Sequence, residues 1–277
     1  MSRTAETLKQ ELAAMGRSSY PILDMHAHMG NHGGGFMSAN TPEKQLYFMD
    51  RANVKCATFV GHRGLFIGPE GVYEDLAIAK RYPGRFKLYY PVIAPMLEDY
   101  PGLQMVEENN EFIGLKFLCD YHGAPLSDPR HTPFWEYADA RRLPVLVHTG
   151  GKSPLDGPEE AEKILGRYHN LSFIAGHSFM GDPAAAARLA GAYENIYLEL
   201  TAVLTWRGPL EVFAEAGLLQ KVLFGVDAPW FSYEYYIGAL LSAEITDEQR
   251  KDIFWRNALG VYQKAGINIE SDWRINV

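Results

Sequence analysis

The stretch ILDMHAH, residues 22–28, is the first of eight short apolar runs, which alternate with segments of helical spacing. The other runs cover residues 56–62, 86–93, 112–119, 144–148, 171–177, 196–200 and 222–227. Five of the runs end in residues that can bind a metal ion or transfer a proton, namely His26 and His28, Lys116, His148, His177 and Asp227. Parallel strands with polar residues at their carboxyl ends are typical of a (β/α)8 TIM barrel, an α/β fold whose site lies at that end.

The length of the chain fits one such barrel. Its 277 residues, 47% of them hydrophobic, compare with the roughly 250 residues that this fold commonly uses. Helix-start signals such as Thr41-Pro42 and Asp182-Pro183 predict the intervening helices, and Thr246 begins a predicted final helix over residues 246–261. No linker-like segment divides the chain, so we predict a single barrel over residues 20–277, preceded by an N-terminal helical extension over residues 1–19.

The composition excludes several classes of partner. A net charge of −8 gives no basic footprint for nucleic acid or for an anionic membrane surface. The sequence contains neither the roughly 18 consecutive apolar residues of a membrane span nor the apolar core of a signal peptide. Cys56 and Cys119 form no disulfide framework. We therefore expect a cytoplasmic homo-oligomer with a small-molecule substrate.

Alternation of side chains along the strands predicts where the polar endings point. His26 and His28 share one face of the first strand. The remaining histidines and the aspartate share their strand face with apolar or small residues, which leaves room inside a barrel: His148 with Leu146, His177 with Ala175, and Asp227 with Gly225. Two histidines from the first strand, His148 and Asp227 make a set of three nitrogens and one oxygen that suits one Zn²⁺ ion, with Mn²⁺, Fe²⁺ or Co²⁺ as alternatives.

Six motifs resemble the amidohydrolase superfamily, specifically its amidohydrolase-related (amidohydrolase 2) branch, which includes aminocarboxymuconate-semialdehyde decarboxylase-like proteins. The motifs are DMHAH at 24–28, GLKF at 114–117, PVLVHTG at 144–150, NLSFIAGH at 170–177, VLFGVDAPW at 222–230 and IFWRNALGVY at 253–262. The resemblance spans residues 20–263. It implies that one divalent ion is bound by His26, His28, His148 and Asp227, and that His177 is a catalytic histidine that does not bind the ion.

The resemblance leaves the reaction open between two classes. The first is hydrolysis of an amide, ester or lactone bond in a small carbonyl substrate by metal-activated water, with Asp227 accepting the water proton. The second is nonoxidative decarboxylation of a small aromatic or unsaturated carboxylic acid. The compact chain leaves little material for a large lid, which favours hydrolysis. A catalytically silent barrel used as a binding module is a third hypothesis, but such a protein would have no evident need to keep the full set of metal-binding side chains.

Further residues carry weaker signals about the substrate and the support of the site. By resemblance, Lys116 either becomes carboxylated and bridges two metal ions, or it anchors a substrate carboxylate or forms a structural ion pair. Arg63 can meet an anionic substrate or lie in a solvated loop, and Trp230 can line the substrate pocket or pack between loops. Glu199 is a candidate for orienting a metal-binding imidazole, and Asp24 is a candidate for a buried hydrogen-bonded support.

Overall fold

A computed structural model describes Gln10 and residues 21–33, 37–150, 153–206 and 208–269 of the chain. Apart from Gln10, the predicted N-terminal extension over residues 1–19 lies outside the described residues, so it stays a prediction. Within the described ranges, no helix combines the length and the apolar character that crossing a membrane requires.

Eight parallel strands form one sheet in which each strand pairs with the next strand along the chain. They are β1 (Ile22–Met29), β2 (Val54–Gly61), β3 (Phe86–Val92), β4 (Phe112–Phe117), β5 (Pro144–His148), β6 (Ser172–Gly176), β7 (Ile196–Glu199) and β8 (Val222–Leu223). The predicted (β/α)8 barrel is confirmed. The predicted runs at 56–62 and 112–119 end too late, because His62 and Cys119 already begin helices.

The last strand joins the first and closes the barrel. The Met25 N–H donates to the Phe224 carbonyl at 3.0 Å, and the Asp227 N–H donates to the His26 carbonyl at 2.7 Å. Ala27 forms a further parallel bridge with Ala228. The predicted strand at 222–227 is therefore only two residues long as a ladder with β7, but the chain continues along β1 and carries Asp227 to the carboxyl end of the barrel.

Helices alternate with the strands as the sequence predicts. In the described residues these are α1 (Pro42–Ala52), α2 (His62–Phe66), α3 (Glu70–Arg81), α4 (Leu103–Glu108), α5 (Cys119–His122), α6 (Thr132–Arg141), α7 (Pro158–Leu165), α8 (Pro183–Ala192), α9 (Pro209–Glu215), α10 (Tyr233–Ser242), α11 (Asp247–Lys251) and α12 (Asn257–Lys264). Short 3-10 turns lie at Ala94–Met96, Pro129–His131, Val203–Thr205 and Leu219–Lys221.

Side-chain caps explain where several helices begin. The hydroxyl of Thr41 accepts the Lys44 N–H ahead of α1, and the Asp182 carboxylate accepts the Ala185 N–H ahead of α8. In both helices proline occupies the first turn, where its missing N–H costs nothing. The final helix differs from the prediction, because a π-helical turn over Asp252–Arg256 separates α11 from α12.

The apolar core has two layers. The larger layer lies between strands and helices, and in it the Trp135 ring stacks on Phe117 with 4.2 Å between ring centroids. The smaller layer fills the barrel interior with residues such as Leu146 and Ile174, and Tyr262 from α12 joins it. The interior is therefore filled with apolar side chains, and the polar strand endings lie above it at the carboxyl ends.

Candidate active site

His26 and His28 lie at the carboxyl end of β1, where the pairing with β2 loses its regular register between Asp24 and Ala27. Asp24 supports this irregular segment, because its carboxyl group accepts the backbone N–H groups of His26 and Val226 and the Tyr233 hydroxyl. Burial raises the pKa of Asp24 to about 8. Asp24 is therefore a buried hydrogen-bonded support, as the sequence predicts.

Hydrogen bonds fix which ring nitrogen of each β1 histidine carries a proton. His28 Nδ1 lies 2.8 Å from the Val60 carbonyl oxygen, which can only accept, so Nδ1 carries the proton. His26 Nδ1 lies 2.8 Å from Glu199 Oε2 and donates to it in the same way. Both Nε2 atoms, when the rings are neutral, then present lone pairs to the same space.

Asp227 faces these two lone pairs. Its Oδ1 lies 3.0 Å from His28 Nε2 and 3.6 Å from His26 Nε2, and it is a buried oxygen without a well-formed hydrogen bond. One ligand atom from each of these three residues lies within 4.8 Å of the others. Two imidazole lone pairs and a carboxylate oxygen repel one another unless positive charge lies among them, and of the three atoms Lys116 Nζ contacts His26 Nε2 alone. This donor set therefore fits a divalent metal ion.

The electrostatics of the cluster also suit a cation. Burial and the nearby Lys116 hold the pKa of His26 well below its usual range, so its imidazole is neutral, as a metal ligand must be. Burial raises the pKa of Asp227, but attraction between its carboxylate and positive charge in the space that it shares with His26 and His28 outweighs burial and holds the pKa well below its usual range. The aspartate is therefore ionised throughout the neutral range.

His177 reaches the site by a route that the sequence did not predict. Ala175 and Phe173, with which it shares parity, belong to the layer between strands and helices, whereas Ile174 faces the barrel interior. Strict alternation would therefore turn His177 outward, so strand parity alone does not explain why His177 faces the site as predicted. A left-handed backbone conformation at His177, with φ of 68°, ends the alternation. The His177 imidazole then packs against the His26 ring, with 5.0 Å between ring centroids.

His148 and His177 form a directed pair. His177 Nδ1 lies 3.2 Å from the Thr201 carbonyl oxygen and donates to it, so His177 Nε2 accepts from His148 Nδ1 at 3.1 Å. Burial, together with His26, lowers the pKa of His177 to about 4. The three-residue donor set around Asp227 does not include His148, so the role of His148 as a metal ligand stays a prediction.

Lys116 is fully buried beneath the site. Its Nζ lies 3.2 Å from His26 Nε2, the atom that also faces Asp227. Burial lowers the pKa of Lys116 to about 8. Lys116 Nζ therefore lies against the His26 nitrogen that faces the candidate metal position, and the role of the lysine in binding a substrate carboxylate or in becoming carboxylated stays a prediction.

A cavity of about 350 Å³ opens above the cluster. Its lining includes His28, His148, His177 and Asp227 from the predicted set. Aromatic and apolar side chains form the walls: Phe66, Leu118, Tyr121, Met180, Trp230 and Phe231. A small mostly apolar cleft with a few converging polar groups is the usual form of a small-molecule site.

The two predicted substrate-binding residues on loops have different outcomes. Trp230 lines the cavity. Arg63 does not line this cavity, because its guanidinium pairs with Glu74 on the exposed surface. Its role in substrate binding stays a prediction that this position does not support.

The sequence did not predict an acidic pair, of which Asp120 lines the cavity and Asp156 lies buried behind it. The Asp120 N–H donates to Asp156 Oδ2 at 3.0 Å, and Asp120 Oδ2 lies 3.5 Å from His148 Nε2. Burial raises the pKa of both carboxyl groups, that of Asp156 to about 7. Asp120 comes directly after the apolar run that contains β4, and this position at a strand end was the available signal. Asp156 lies far along the chain, and no local signal marks it.

The sequence of the chain was compared with models of protein families and with curated proteins. Residues 23–264 match the family model Amidohydro_2, whose description is amidohydrolase. No curated protein matches the chain.

Solved structures share the fold over most of the chain. An uncharacterised TIM-barrel protein from Bordetella bronchiseptica has a TM-score of 0.74 and 19% identity, covering 89% of this chain and 99% of that one. The 2,6-dihydroxybenzoate decarboxylase from Rhizobium has a TM-score of 0.70 and 13% identity, with coverage of 88% and 98%. A probable 2-pyrone-4,6-dicarboxylic acid hydrolase from Acinetobacter baumannii has a TM-score of 0.66 and 16% identity, with coverage of 87% and 99%. These identities establish a shared fold.

Proposed function

Because the chain belongs to the amidohydrolase family, we propose that its cavity binds one divalent metal ion and hydrolyses an amide, ester or lactone bond of a small carbonyl substrate. The observation that carries the proposal is the buried convergence of His26 Nε2, His28 Nε2 and Asp227 Oδ1 at the cavity. We propose these three residues as metal ligands, with His148, which lines the same cavity, as the fourth. Zn²⁺ is the ion we propose first for this set, with Mn²⁺, Fe²⁺ and Co²⁺ as alternatives.

The residues around the cluster have separate tasks in this proposal. A bound divalent ion supplies acidity to water and polarises a carbonyl group. Asp227, which is ionised at neutral pH, accepts the proton of the attacking water. Glu199 holds His26 through Nδ1, and Thr201 holds His177 through Nδ1, so both imidazoles keep fixed orientations.

The protonation of the histidines favours hydrolysis over decarboxylation. A pKa of about 4 leaves His177 unprotonated near neutral pH, and burial also holds the pKa of His148 well below its usual range. Neither imidazole therefore carries a second proton that it could give away. They are poorly suited to deliver a proton to a carbon atom, as decarboxylation requires.

Decarboxylation of a small aromatic or unsaturated acid is the second candidate, and the acidic pair favours it. Asp120 lines the cavity and Asp156 lies buried behind it; burial raises the pKa of both carboxyl groups, that of Asp156 to about 7. This pair supplies the proton donor that the histidines lack. The shared fold with 2,6-dihydroxybenzoate decarboxylase is compatible with this candidate.

Metal analysis and a turnover screen test the proposal together. Protein purified without chelator should contain one divalent ion per chain by elemental analysis. The zinc- and manganese-loaded forms are then screened against lactones, N-acyl compounds and aromatic carboxylates in water labelled with oxygen-18. Oxygen-18 in the organic product supports hydrolysis, whereas carbon dioxide release with an organic product free of oxygen-18 selects decarboxylation. A protein without metal and without turnover supports the silent barrel, and sedimentation of the same sample tests the predicted homo-oligomer.

A matched pair of variants separates the catalytic histidine from the ligands. His177→Asn should keep most of the metal and lose turnover by orders of magnitude, whereas His28→Asn should lose the metal as well. His122→Asn is the control, because His122 is a half-buried histidine whose Nε2 contacts the Leu65 carbonyl outside the cluster. Metal loss in His177→Asn equal to that in His28→Asn would contradict the role given to His177.

A further inference from the structure

His62, the first residue of α2, uses both of its ring nitrogens in contacts with two other loops. Its Nδ1 lies 2.9 Å from the Gly30 carbonyl oxygen, in the loop after β1. Its Nε2 lies 3.1 Å from Nε1 of Trp230, in the loop after β8. His62 itself follows β2 and is 3% exposed. One buried imidazole therefore connects the loops that follow three neighbouring strands of the closed barrel.

The partners fix the tautomer of this imidazole. The indole of Trp230 has one N–H and no acceptor, so it must donate to His62 Nε2. The proton of a neutral His62 then sits on Nδ1 and points to the Gly30 carbonyl, which can only accept. Both polar atoms of the ring are satisfied by this pair of contacts. His62 is therefore occupied as a connector and has no free lone pair for a metal ion.

The hydrogen bond from Trp230 to His62, together with the bond from His62 to Gly30, forms a clamp that anchors an exposed side chain. Trp230 is 47% exposed and lines the cavity beside His28 and Asp227. An exposed tryptophan without a polar anchor samples several rotamers, and ordering it on ligand binding costs conformational entropy. The His62 ring also stacks on His28, with 4.8 Å between centroids and an angle of 19° between planes. The indole is thereby held in a defined position relative to the candidate metal ligands.

We propose that His62 is a positioning residue that fixes the Trp230 indole as one wall of the cavity, so that the site prefers substrates with a flat ring or conjugated group next to the reacting carbonyl. This inference rests on the proposed metal-dependent function. It goes beyond that function because it assigns substrate preference to a residue that lines the cavity and stacks on His28 but has no ring nitrogen free for the metal ion or the substrate. A preformed aromatic wall reduces the entropy cost for a flat ligand and gives little to a small aliphatic one.

Two substitutions at His62 separate its two hydrogen bonds. Glutamine can place an acceptor oxygen near the position of Nε2 and keep the bond from Trp230, whereas asparagine can place a donor near Nδ1 and leaves the indole N–H without a partner. Trp230→Phe removes the N–H but keeps a ring, and it changes a residue that is exposed at the surface. The matched control is His122→Asn, since the His122 ring nitrogen contacts the Leu65 carbonyl.

The first measurement is the indole N–H exchange rate in a nitrogen-15 correlation spectrum. The chain has five tryptophans, and loss of one signal in Trp230→Phe assigns the Trp230 resonance. His62→Asn should speed its exchange with water by roughly 10-fold or more, because the hydrogen bond protects it, while His62→Gln and His122→Asn should leave it within roughly twofold. Equal exchange in His62→Asn and the wild type overturns the clamp. This readout requires neither metal nor substrate.

The second measurement compares benzohydroxamate with acetohydroxamate, two metal-binding probes that differ by the flat ring, on the zinc-loaded protein. His62→Asn and Trp230→Phe should each weaken the binding of benzohydroxamate by roughly 3- to 10-fold and the binding of acetohydroxamate by less than about twofold. The double variant should bind benzohydroxamate no more weakly than His62→Asn alone, because both substitutions break the same hydrogen bond. Equal weakening of both probes overturns the preference for a flat group. If acetohydroxamate fails to bind the wild type, the proposed metal site fails instead, and the exchange measurement still decides the clamp.

Discussion

Replacing Glu199 with glutamine should weaken metal binding and destabilise the barrel, because this buried carboxylate receives four hydrogen bonds. Oε2 accepts from His26 Nδ1 at 2.8 Å and from the His177 backbone N–H at 3.2 Å. Oε1 accepts from the backbone N–H and the hydroxyl of Thr201 at 2.6 and 2.5 Å. The space is closely fitted, since a Cβ atom at Gly225 would collide with the carboxylate. Glutamine keeps the size but replaces one acceptor oxygen with a donor.

The magnitude follows from the geometry of the four donors. Whichever way the new amide is turned, a buried backbone N–H of His177 or of Thr201 faces another N–H. A buried donor without a partner costs about 1–3 kcal/mol, so the free energy of unfolding should fall by about that amount. The remaining oxygen is uncharged and polarises the His26 imidazole less. Loss of such a partner typically costs a metal site about 10- to 100-fold in affinity.

Zinc affinity is measured by competition with a chromophoric chelator, and stability by urea unfolding of the metal-free protein. Asp75→Asn is the control, because Asp75 is also a buried carboxyl group and accepts the backbone N–H of Gly61 on β2. Burial raises the pKa of Asp75 to about 8, so it is mostly protonated near neutral pH and asparagine resembles it. The control should bind zinc within about twofold of the wild type. A folded Glu199→Gln protein with wild-type zinc affinity would refute the support role of Glu199.

Three further predictions concern a core tryptophan, a buried carboxyl group and a metal-site aspartate. Trp135→Ala should cost about 3–5 kcal/mol of unfolding free energy, because the ring is buried against Phe117, whereas the exposed Trp206→Ala should change it by less than about 0.5 kcal/mol; equal urea midpoints would contradict this. Folded Asp75 keeps its proton up to about pH 8, while an unfolded aspartate loses it near about pH 3.9, so the stability that Asp75 contributes falls as the pH rises between these values. Asp75→Asn should therefore gain stability relative to the wild type from about pH 5 to about pH 7.5 in urea unfolding, and a constant difference would count against the raised pKa. Asp227→Asn keeps the size but removes the charge, so it should weaken zinc binding and abolish turnover at every pH, and near-normal turnover of a folded, zinc-loaded variant would exclude Asp227 as the proton acceptor.

The local sequence determined the architecture and the types of chemical group at its carboxyl end. Apolar periodicity and helix caps depend on residues within a few positions of one another, so the eight runs predicted eight strands and Thr41-Pro42 predicted the start of α1. The sequence also predicted that His26 and His28 lie together, because two residues on one strand face remain neighbours in any barrel. The motifs that resemble the amidohydrolases added the family, which the match over residues 23–264 confirms.

Only the tertiary structure decided how the groups at the strand ends meet. A left-handed backbone at His177, and not the alternation along β6, turns its imidazole into the site, and Arg63 turns to Glu74 on the surface instead of the cavity. Glu199 reaches His26 across 173 positions of sequence. These outcomes depend on single backbone angles and on contacts between distant loops. Periodicity within one strand carries no information about either, because the closing of the barrel brings those loops together.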